Sequence, residues 1–425
     1  MTMIPPQELI RIFGRIGLLS FGGPAGQIAM MHRTLVEEKG WLDEKRYLHA
    51  LNFCMLLPGP EAQQLATYSG WLVGGVRGGL IAGVLFVLPG FAAMMALSWI
   101  YALYGNVPLV EGVFFGLKAA VLAVVVQALL KIGKRALTGV FAYALAVLSF
   151  IAIFALNIPF PLIIAAAGAV GWARSLRKPD TAAQSLDQAP PRQFSWRTFL
   201  ITLAMWLIPS ALLIAVMGPN HTFSTIAAFF SQMAVVTFGG AYAVLAYVAQ
   251  QAVDTYGWLA PGEMLDGLGL AETTPGPLIM VTQFVGFLAA YRDPGMLHPL
   301  VAGSLGASLT TWVTFVPCFL WIFTFAPFIE RLRNNVRLSA ALAAITAAVV
   351  GVIANLTVWF ALYLLFDQQR PIFGIDLPVL SSVNLAAAAL TMVALIAMFR
   401  FKMGMIFVLG LCAGLGLVLT LAGLA

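Results

Sequence analysis

Three short motifs recur along the chain in one register, 217 residues apart. Further on, VLPGF around Pro89 aligns with FVPCF around Pro317 once about 11 extra residues are allowed in the second half. Self-similarity at a fixed spacing indicates an internal repeat, so the chain consists of two related halves. The three motifs are FGG at 21–23 and 238–240, GWL at 40–42 and 257–259, and PGP at 58–60 and 275–277.

Composition determines the solvent in which these halves fold. Of the 425 residues, 61% are hydrophobic and only 9% are charged, and the mean hydropathy is +0.94. A soluble domain carries about 25% charged residues, so we predict an all-α polytopic membrane protein. The three cysteines lie in apolar stretches and the four histidines show no ligand spacing, which indicates no metal site and no cofactor. The net charge of +6 indicates membrane orientation rather than nucleic-acid binding.

Thirteen apolar segments define the expected topology, six in each half and one between them. An unpaired crossing between two six-segment halves makes the second half enter the membrane from the opposite side. The repeats should therefore be inverted, as in secondary transporters. The predicted divisions are a first repeat at 1–174, a cytoplasmic linker at 175–196, a linking transmembrane helix at 197–217 and a second, inverted repeat at 218–425.

The segments themselves are 8–32, 46–75, 76–103, 108–130, 138–156, 158–174, 197–217, 222–248, 263–289, 297–325, 336–364, 380–398 and 403–424. If all of them cross, with the N-terminus in the cytoplasm, 16 Lys and Arg residues lie inside and 6 outside. If the first two segments of each half are re-entrant hairpins, 20 lie inside and 2 outside, namely Arg292 and Arg370. Because Lys and Arg concentrate on the cytoplasmic side, we prefer the hairpins, with broken full-length helices as the alternative.

Glycine and proline interrupt the apolar segments at corresponding positions of both halves. For one such motif the simplest interpretation is a kink or a close contact between helices. A matched pair of breaks is a better indication of a transporter's site near the membrane midplane. Half-helix N-termini meeting there present free N–H groups and positive dipole ends, which suits a small oxyanion better than a metal cation. Ser20 and Thr237 are placed to cap these helices or to donate to the ligand.

Glu61, Glu272 and Lys118 are ionisable residues within apolar segments, where such residues are usually functional. Glu61 follows the first PGP and Glu272 precedes the second, so either is a candidate for proton coupling or gating. For Glu61 the alternative is an acidic residue in the first turn of a helix. Lys118 lies deep in FFGLKAAVLAVVVQ, either as a fixed cation facing the substrate or as the structural partner of a buried acid.

The motifs together resemble those of one family. SFGGPAGQIAMMH, GW and LPGPEAQQLATYSGW, repeated as TFGGAYAVLAYVAQ, GWL and AETTPGPLIMVTQFVGF, are similar to the chromate ion transporter (CHR) family in its long, two-repeat form. The resemblance implies a multi-pass protein of the bacterial inner membrane that exports chromate and confers chromate resistance. Sulfate, another tetrahedral dianion, is the natural analogue.

The resemblance and the break pattern together define the candidate residues. Proton-coupling or gating candidates are Glu61 and Glu272. The expected partners are chromate, sulfate, protons and membrane lipid; the oligomeric state stays open, a homodimer being one option. The substrate-binding candidates are Ser20, Phe21, Gly22, Gly23, Pro24, Gln27, Pro58, Gly59, Pro60, Gln63, Lys118, Thr237, Phe238, Gly239, Gly240, Thr274, Pro275, Gly276 and Pro277.

Three functions follow as hypotheses. The first is a secondary transporter that exports chromate by alternating access, since the chain carries no GxxxxGK[ST] motif of a nucleotide-driven pump. The second is a transporter of sulfate or oxyanions in general that also accepts chromate. A membrane enzyme is the distant third, because no cluster of His, Cys and carboxylates accompanies the repeat.

Overall fold

Apolar helices make up nearly all of the part of the chain that the structure describes. The structure is a computed structural model and describes residues 4–105, 107–176, 195–238, 240–326, 335–372 and 375–424. It contains sixteen α-helices in these ranges, which confirms the predicted all-α polytopic membrane fold. Most of the predicted linker, at 177–194, lies outside the described residues.

The described part of the first half, with the helix after it, contains eight α-helices. They are α1 (Pro6–Leu19), α2 (Gly23–His32), α3 (Glu44–Cys54), α4 (Glu61–Tyr104), α5 (Pro108–Ala136), α6 (Val140–Phe154), α7 (Phe160–Ser175) and α8 (Trp196–Met217).

The second half repeats the same order of elements. Its helices are α9 (Thr222–Val236), α10 (Ala241–Gln250), α11 (Pro261–Thr273), α12 (Val281–Arg292), α13 (Pro299–Phe325), α14 (Val336–Leu365), α15 (Leu385–Phe399) and α16 (Met405–Leu421). A short antiparallel hairpin, β1 (Gln369–Ile372) with β2 (Ile375–Pro378), joins α14 to α15 and was not predicted. The inverted orientation of the two halves stays a prediction.

Helices break at both motifs in both halves, as predicted. The first FGG separates α1 from α2, and the first PGP separates α3 from α4. Helices α1, α2 and α3 have 14, 10 and 11 residues, fewer than the roughly 20 that cross a bilayer. Among the described residues, five helices are long and apolar enough to cross it, namely α4, α5, α8, α13 and α14.

Helix α4 contains two arms that pack against each other. Gly75 has φ 63° and ψ −156°, a conformation that only glycine adopts readily, and it separates residues 61–74 from 76–104. A Cβ on Gly79 would lie 3.0 Å from the carbonyl oxygen of Thr67, so the arms approach at small residues. Helices α12 and α13 form the corresponding pair in the second half.

The C-terminal helices of each half pack against the other half. Helix α5 packs mainly on α16, and α14 packs on α6 and α7. Glycine makes the first contact possible, because a Cβ on Gly416 would lie 2.5 Å from the carbonyl oxygen of Gly112. Without a hydrophobic driving force between helices in lipid, such close approach is what holds them together.

Helix α8 stands at the edge of the bundle. Only 17% of an 18-residue apolar stretch of this helix is buried, so most of its surface is exposed. Pro209 lacks an N–H and leaves the carbonyl of Met205 without its helical donor. The indole Nε1 of Trp312 on α13 donates to that oxygen at 2.9 Å and so attaches α8 to the bundle.

The packing of α5 on α16 generates a test of the fold. Gly416→Ala should lower the free energy of unfolding by about 1–3 kcal/mol, because the new methyl group overlaps the backbone of α5. Gly414→Ala on the same helix is the matched control, since no atom lies within 4 Å of its Cβ position. Thermal unfolding of the detergent-solubilised protein measures both. Equal melting temperatures for the two variants would contradict the packing.

Candidate functional site

The N-terminal ends of four helices meet around one small internal cavity. Helix α2 contributes Pro24 and Gln27, and α4 contributes Glu61. The second half contributes Ala241 at the start of α10 and Leu278 in the turn before α12. The remaining lining residues are Pro60, Ala62, Gly240, Pro277 and Ile279.

Two backbone hydrogen bonds hold these helix ends together, and they are related by the 217-residue repeat. The amide of Gly59 donates to the carbonyl of Thr237 at 2.8 Å, and the amide of Gly276 donates to the carbonyl of Ser20 at 2.9 Å. Each bond links the PGP loop of one half to the FGG loop of the other. The four breaks predicted from the sequence are therefore brought together in space.

The hydroxyl groups of the two FGG loops serve the helices that precede them. Ser20 Oγ donates to the carbonyl of Ile16 at 2.6 Å, and Thr237 Oγ1 donates to that of Met233 at 2.5 Å. Both side chains are buried. These bonds go to the last turn of the preceding helix, so neither hydroxyl caps the N-terminus of the helix that follows, as the sequence suggested, and donation to a ligand stays a prediction.

Glycine is required in the PGP loops for two reasons. Gly59 and Gly276 have φ of 117° and 98°, in the region that other residues rarely adopt. Both also touch the opposite half, because a Cβ on Gly276 would lie 3.2 Å from Gly90 Cα and one on Gly59 would lie 3.1 Å from Cys318 Sγ. Of the FGG glycines, Gly22, Gly23 and Gly240 also have positive φ, and Gly239 lies outside the described residues.

Gln27 adds a side-chain link between the halves. Its Nε2 donates to the carbonyl of Gly276 at 2.6 Å and to that of Ser20 at 3.4 Å, and its Oε1 is buried without a partner. The repeat places Val244 at the corresponding position of α10, which cannot donate. This contact therefore exists in one half only.

The other polar candidates stabilise the loops around the cavity. Gln64 Nε2 donates to the carbonyl of Pro58 at 2.6 Å, and Gln63 Nε2 donates to Thr67 Oγ1 at 3.2 Å. Thr274 Oγ1 donates to the carbonyl of Ala271 at 3.1 Å. The same loops contain Phe21, Pro58, Phe238 and Pro275. The carbonyl oxygen of Pro275 lies 2.5 Å from the position that a Cβ on Gly90 would occupy.

The two candidate carboxylates have different surroundings. Glu61 lines the small cavity, and its Oε1 lies 3.9 Å from the Cβ position of Gly240 in the other half. Glu272 is buried and accepts a hydrogen bond from Tyr242 Oη at 2.6 Å. Tyr242 follows the second FGG by two residues, and sequence reasoning missed it because Ala25 occupies the corresponding position of the first half.

Lys118 lies in a different cavity from the other candidates. Its Nζ is 3.3 Å from Asp266 Oδ2, in a space of about 420 Å³ between α4, α5 and α11. Lys118 is therefore paired with a buried acid, which is the second of the two roles that the sequence analysis considered for it. Asp266 was missed, although an acidic residue in the apolar segment 263–289 was a usable signal.

The cavity at the four helix ends is small. Its volume is about 10 Å³, room for about one water molecule. A tetrahedral oxyanion therefore fits there only after the surrounding helices have moved apart.

These features define a class of protein: an integral membrane protein in which helix ends from both halves converge on one small site. Comparison with known families then identifies the family within this class. The model of the family described as "Chromate transporter" matches residues 7–172 and 224–417. The chain belongs to the chromate transporter family.

Curated relatives cover most of the chain. The chromate transport protein of Pseudomonas aeruginosa is 33% identical over 83% of this chain and 81% of its own length. A probable chromate transport protein of Synechococcus elongatus is 31% identical, over 87% and 88% respectively. The chromate transport protein of Cupriavidus metallidurans is 29% identical, over 89% and 87%. No solved structure gave a significant match.

The link between Gln27 and the second PGP loop yields a prediction. Gln27→Leu should lower the free energy of unfolding by about 1–3 kcal/mol, because the buried carbonyl of Gly276 loses a donor. Thr346→Val, which removes a hydroxyl bonded only within its own helix turn, should change the melting temperature far less. Thermal unfolding in detergent compares the two variants. A smaller effect for Gln27→Leu than for Thr346→Val would contradict the link.

Proposed function

We propose that this protein exports chromate from the cytoplasm across the inner membrane, and that the four converging helix ends are its dianion site. The observation that carries the proposal is the meeting of α2, α4, α10 and the turn before α12 around one cavity. Membership in the chromate transporter family supports the substrate. The names of the relatives in P. aeruginosa and C. metallidurans support the same ion.

Charge balance favours a dianion at this place. The N-terminus of a helix carries about +0.5 elementary charge, and its first N–H groups have no partner within the helix. Four such ends together compensate a charge of −2 without a full positive charge in the site. Because the empty site carries only partial charges from the helix ends, its burial costs less desolvation energy than burial of a full charge would. The open site still attracts a dianion.

Glu61 gives the site a second property. A carboxylate within the lining repels a dianion, because two like charges at short range in a medium of low dielectric constant cost several kcal/mol. Glu61 therefore has to be protonated when the dianion binds, and its proton can be exchanged as the ion leaves. Glu272, bonded to Tyr242 next to the second PGP loop, is the other candidate for this coupling.

Transport requires the small site to open to each side in turn. The crossed hydrogen bonds join each PGP loop to the FGG loop of the other half. Movement of one half relative to the other therefore separates these loops and opens the site. Two inverted repeats that rock around a fixed midplane site would produce alternating access. We place the N-terminus in the cytoplasm, in agreement with the distribution of Lys and Arg.

Export in this direction is electrically favourable. Moving one negative charge outward across an inside-negative membrane releases about 2.3 kcal/mol per 100 mV, and a dianion releases about twice that. The potential alone would thus drive chromate out, and such export would confer resistance to chromate.

The direct test is flux of labelled chromate into inside-out vesicles that contain the protein. We expect uptake that rises with an imposed potential corresponding to an inside-negative cell. Unlabelled sulfate in excess measures whether the site distinguishes the two ions, since helix ends recognise charge and shape. Absence of protein-dependent chromate flux under every gradient would overturn the proposed function.

A variant of Glu61 tests proton coupling in the same vesicles. Glu61→Gln keeps the shape of the side chain and removes its proton exchange, so the chromate flux should no longer respond to an imposed pH gradient. Asp367→Asn, an exposed residue outside the cavity lining, should keep the wild-type response. An unchanged response in Glu61→Gln would exclude Glu61 as the coupling group.

A further inference from the structure

A second cavity lies between α4, α5 and α11, with a volume of about 420 Å³. Since a water molecule occupies about 30 Å³ of liquid, this space holds a tetrahedral dianion together with several waters. Its polar lining includes Tyr101, Glu111, Lys118, Glu263 and Asp266. It is thus large enough for the ion that the small site cannot hold in this conformation.

An incompletely satisfied ion pair occupies one wall of this cavity. Asp266 Oδ2 lies 3.3 Å from Lys118 Nζ and accepts a hydrogen bond from Tyr101 Oη at 2.9 Å. The other oxygen, Oδ1, is buried and has no hydrogen-bond partner among the described residues. The Asp266 side chain is 5% exposed, whereas that of Lys118 is 26% exposed and accessible to an ion in the cavity.

Lys118 is the cation available to a ligand there. Arg292 on α12 is already bonded to Glu263 at 2.5 Å and to the carbonyl of Trp258 at 2.7 Å. Among the described residues that line the cavity, Lys118 is the one basic side chain. An ammonium group has three N–H donors, so it can hold an oxyanion in place of a carboxylate.

The remaining charges determine how firmly an ion is held. Glu111 on α5 and Glu263 on α11 line the same cavity as Asp266. Three carboxylates around one lysine disfavour permanent binding of a dianion. The cavity therefore suits brief residence during passage rather than storage.

Helix α11 connects this cavity to the site at the helix ends. Its first turns carry Glu263 and Asp266, and it ends at Thr273, directly before the second PGP loop. In the internal repeat, His49 is the residue equivalent to Asp266. With the 11-residue insertion, Thr346 is the residue equivalent to Lys118. The ion pair thus exists on one side of the pseudo-symmetric frame, the side of Arg292, which the predicted topology places outside.

We propose that this cavity is a transient exit site for the transported dianion. Lys118 binds the ion there, and the Asp266 carboxylate competes with the ion for Lys118 and pairs with Lys118 again as the ion leaves. This inference rests on the proposed export function. While the dianion holds Lys118, the buried carboxylate of Asp266 has lost its cation, a costly state that favours return of the pair and release of the ion. A proton on Asp266 removes the competition, so acid on the outer side retains the ion.

Substitution of Asp266 tests the competition. In Asp266→Asn, Lys118 has no competitor, so chromate should bind about tenfold or more tightly at neutral pH and leave more slowly. In wild type, affinity should rise as the pH falls, approaching about tenfold per pH unit for one linked proton. In Asp266→Asn this added dependence should be absent. Protonation of chromate itself affects both proteins equally, so the difference between them isolates Asp266.

Equilibrium binding of labelled chromate to the purified protein, with efflux from proteoliposomes, measures these effects. Lys118→Gln should weaken binding, and Lys118→Arg should retain it. The double variant Lys118→Gln with Asp266→Asn leaves no unpaired charge, and it should bind as weakly as Lys118→Gln alone. Size-exclusion profiles and melting temperatures establish that each variant folds.

A purely structural ion pair gives a different pattern. Both single variants would then be impaired, and the double variant would return to wild-type binding and export; that result overturns the exit site. Equal pH dependence in wild type and Asp266→Asn would also overturn it. If the Lys118 and Asp266 variants match wild type while Gln27→Leu loses export, the exit-site proposal is wrong and the proposed export function is retained. Absence of chromate flux in wild type removes both.

Discussion

In a bilayer no water is available for broken backbone, so every interruption of a helix has to find its hydrogen-bond partners within the protein. This chain interrupts its helices four times at one place, and each half satisfies the other. Gly59 donates to Thr237 and Gly276 donates to Ser20, in two bonds related by the internal repeat. The positive φ of both glycines and their contacts with Cys318 and Gly90 follow from this crossing. The helix ends that face the cavity exist because these bonds allow the helices to stop there.

The side chains within this repeated frame are not repeated. Gln27 and Glu61 occupy the first half, where Val244 and Leu278 stand in the second, and Tyr242 with Glu272 occurs in the second half only. A symmetric backbone can hold a tetrahedral ion from both sides, whereas direction and coupling need groups that differ between the sides. The ion pair of Lys118 with Asp266 is a further difference of this kind.

The sequence predicted the membrane fold, the two halves and the four breaks because glycine and proline motifs in a fixed register leave few alternatives. It also singled out Gln27 and Glu61, which line the small cavity, and their roles stay predictions. It did not predict that Ser20 and Thr237 donate to carbonyls of the helices that precede them, because a hydroxyl between two helices can serve either of them. The pairings of Asp266 with Lys118 and of Tyr242 with Glu272 were not predicted, because the members of each pair are separated in the chain and no local pattern identifies the partner, although an acidic residue in an apolar segment was a signal for Asp266 itself.

The central claim is that the four helix ends bind the dianion. A cryo-electron microscopy structure of the protein in lipid nanodiscs, with and without chromate, tests this directly. We expect density for one tetrahedral ion between Pro24, Glu61, Ala241 and Leu278, within hydrogen-bonding distance of backbone N–H groups, in a cavity larger than the present 10 Å³. Chromate bound elsewhere in the protein, with these helix ends still closed, would contradict it.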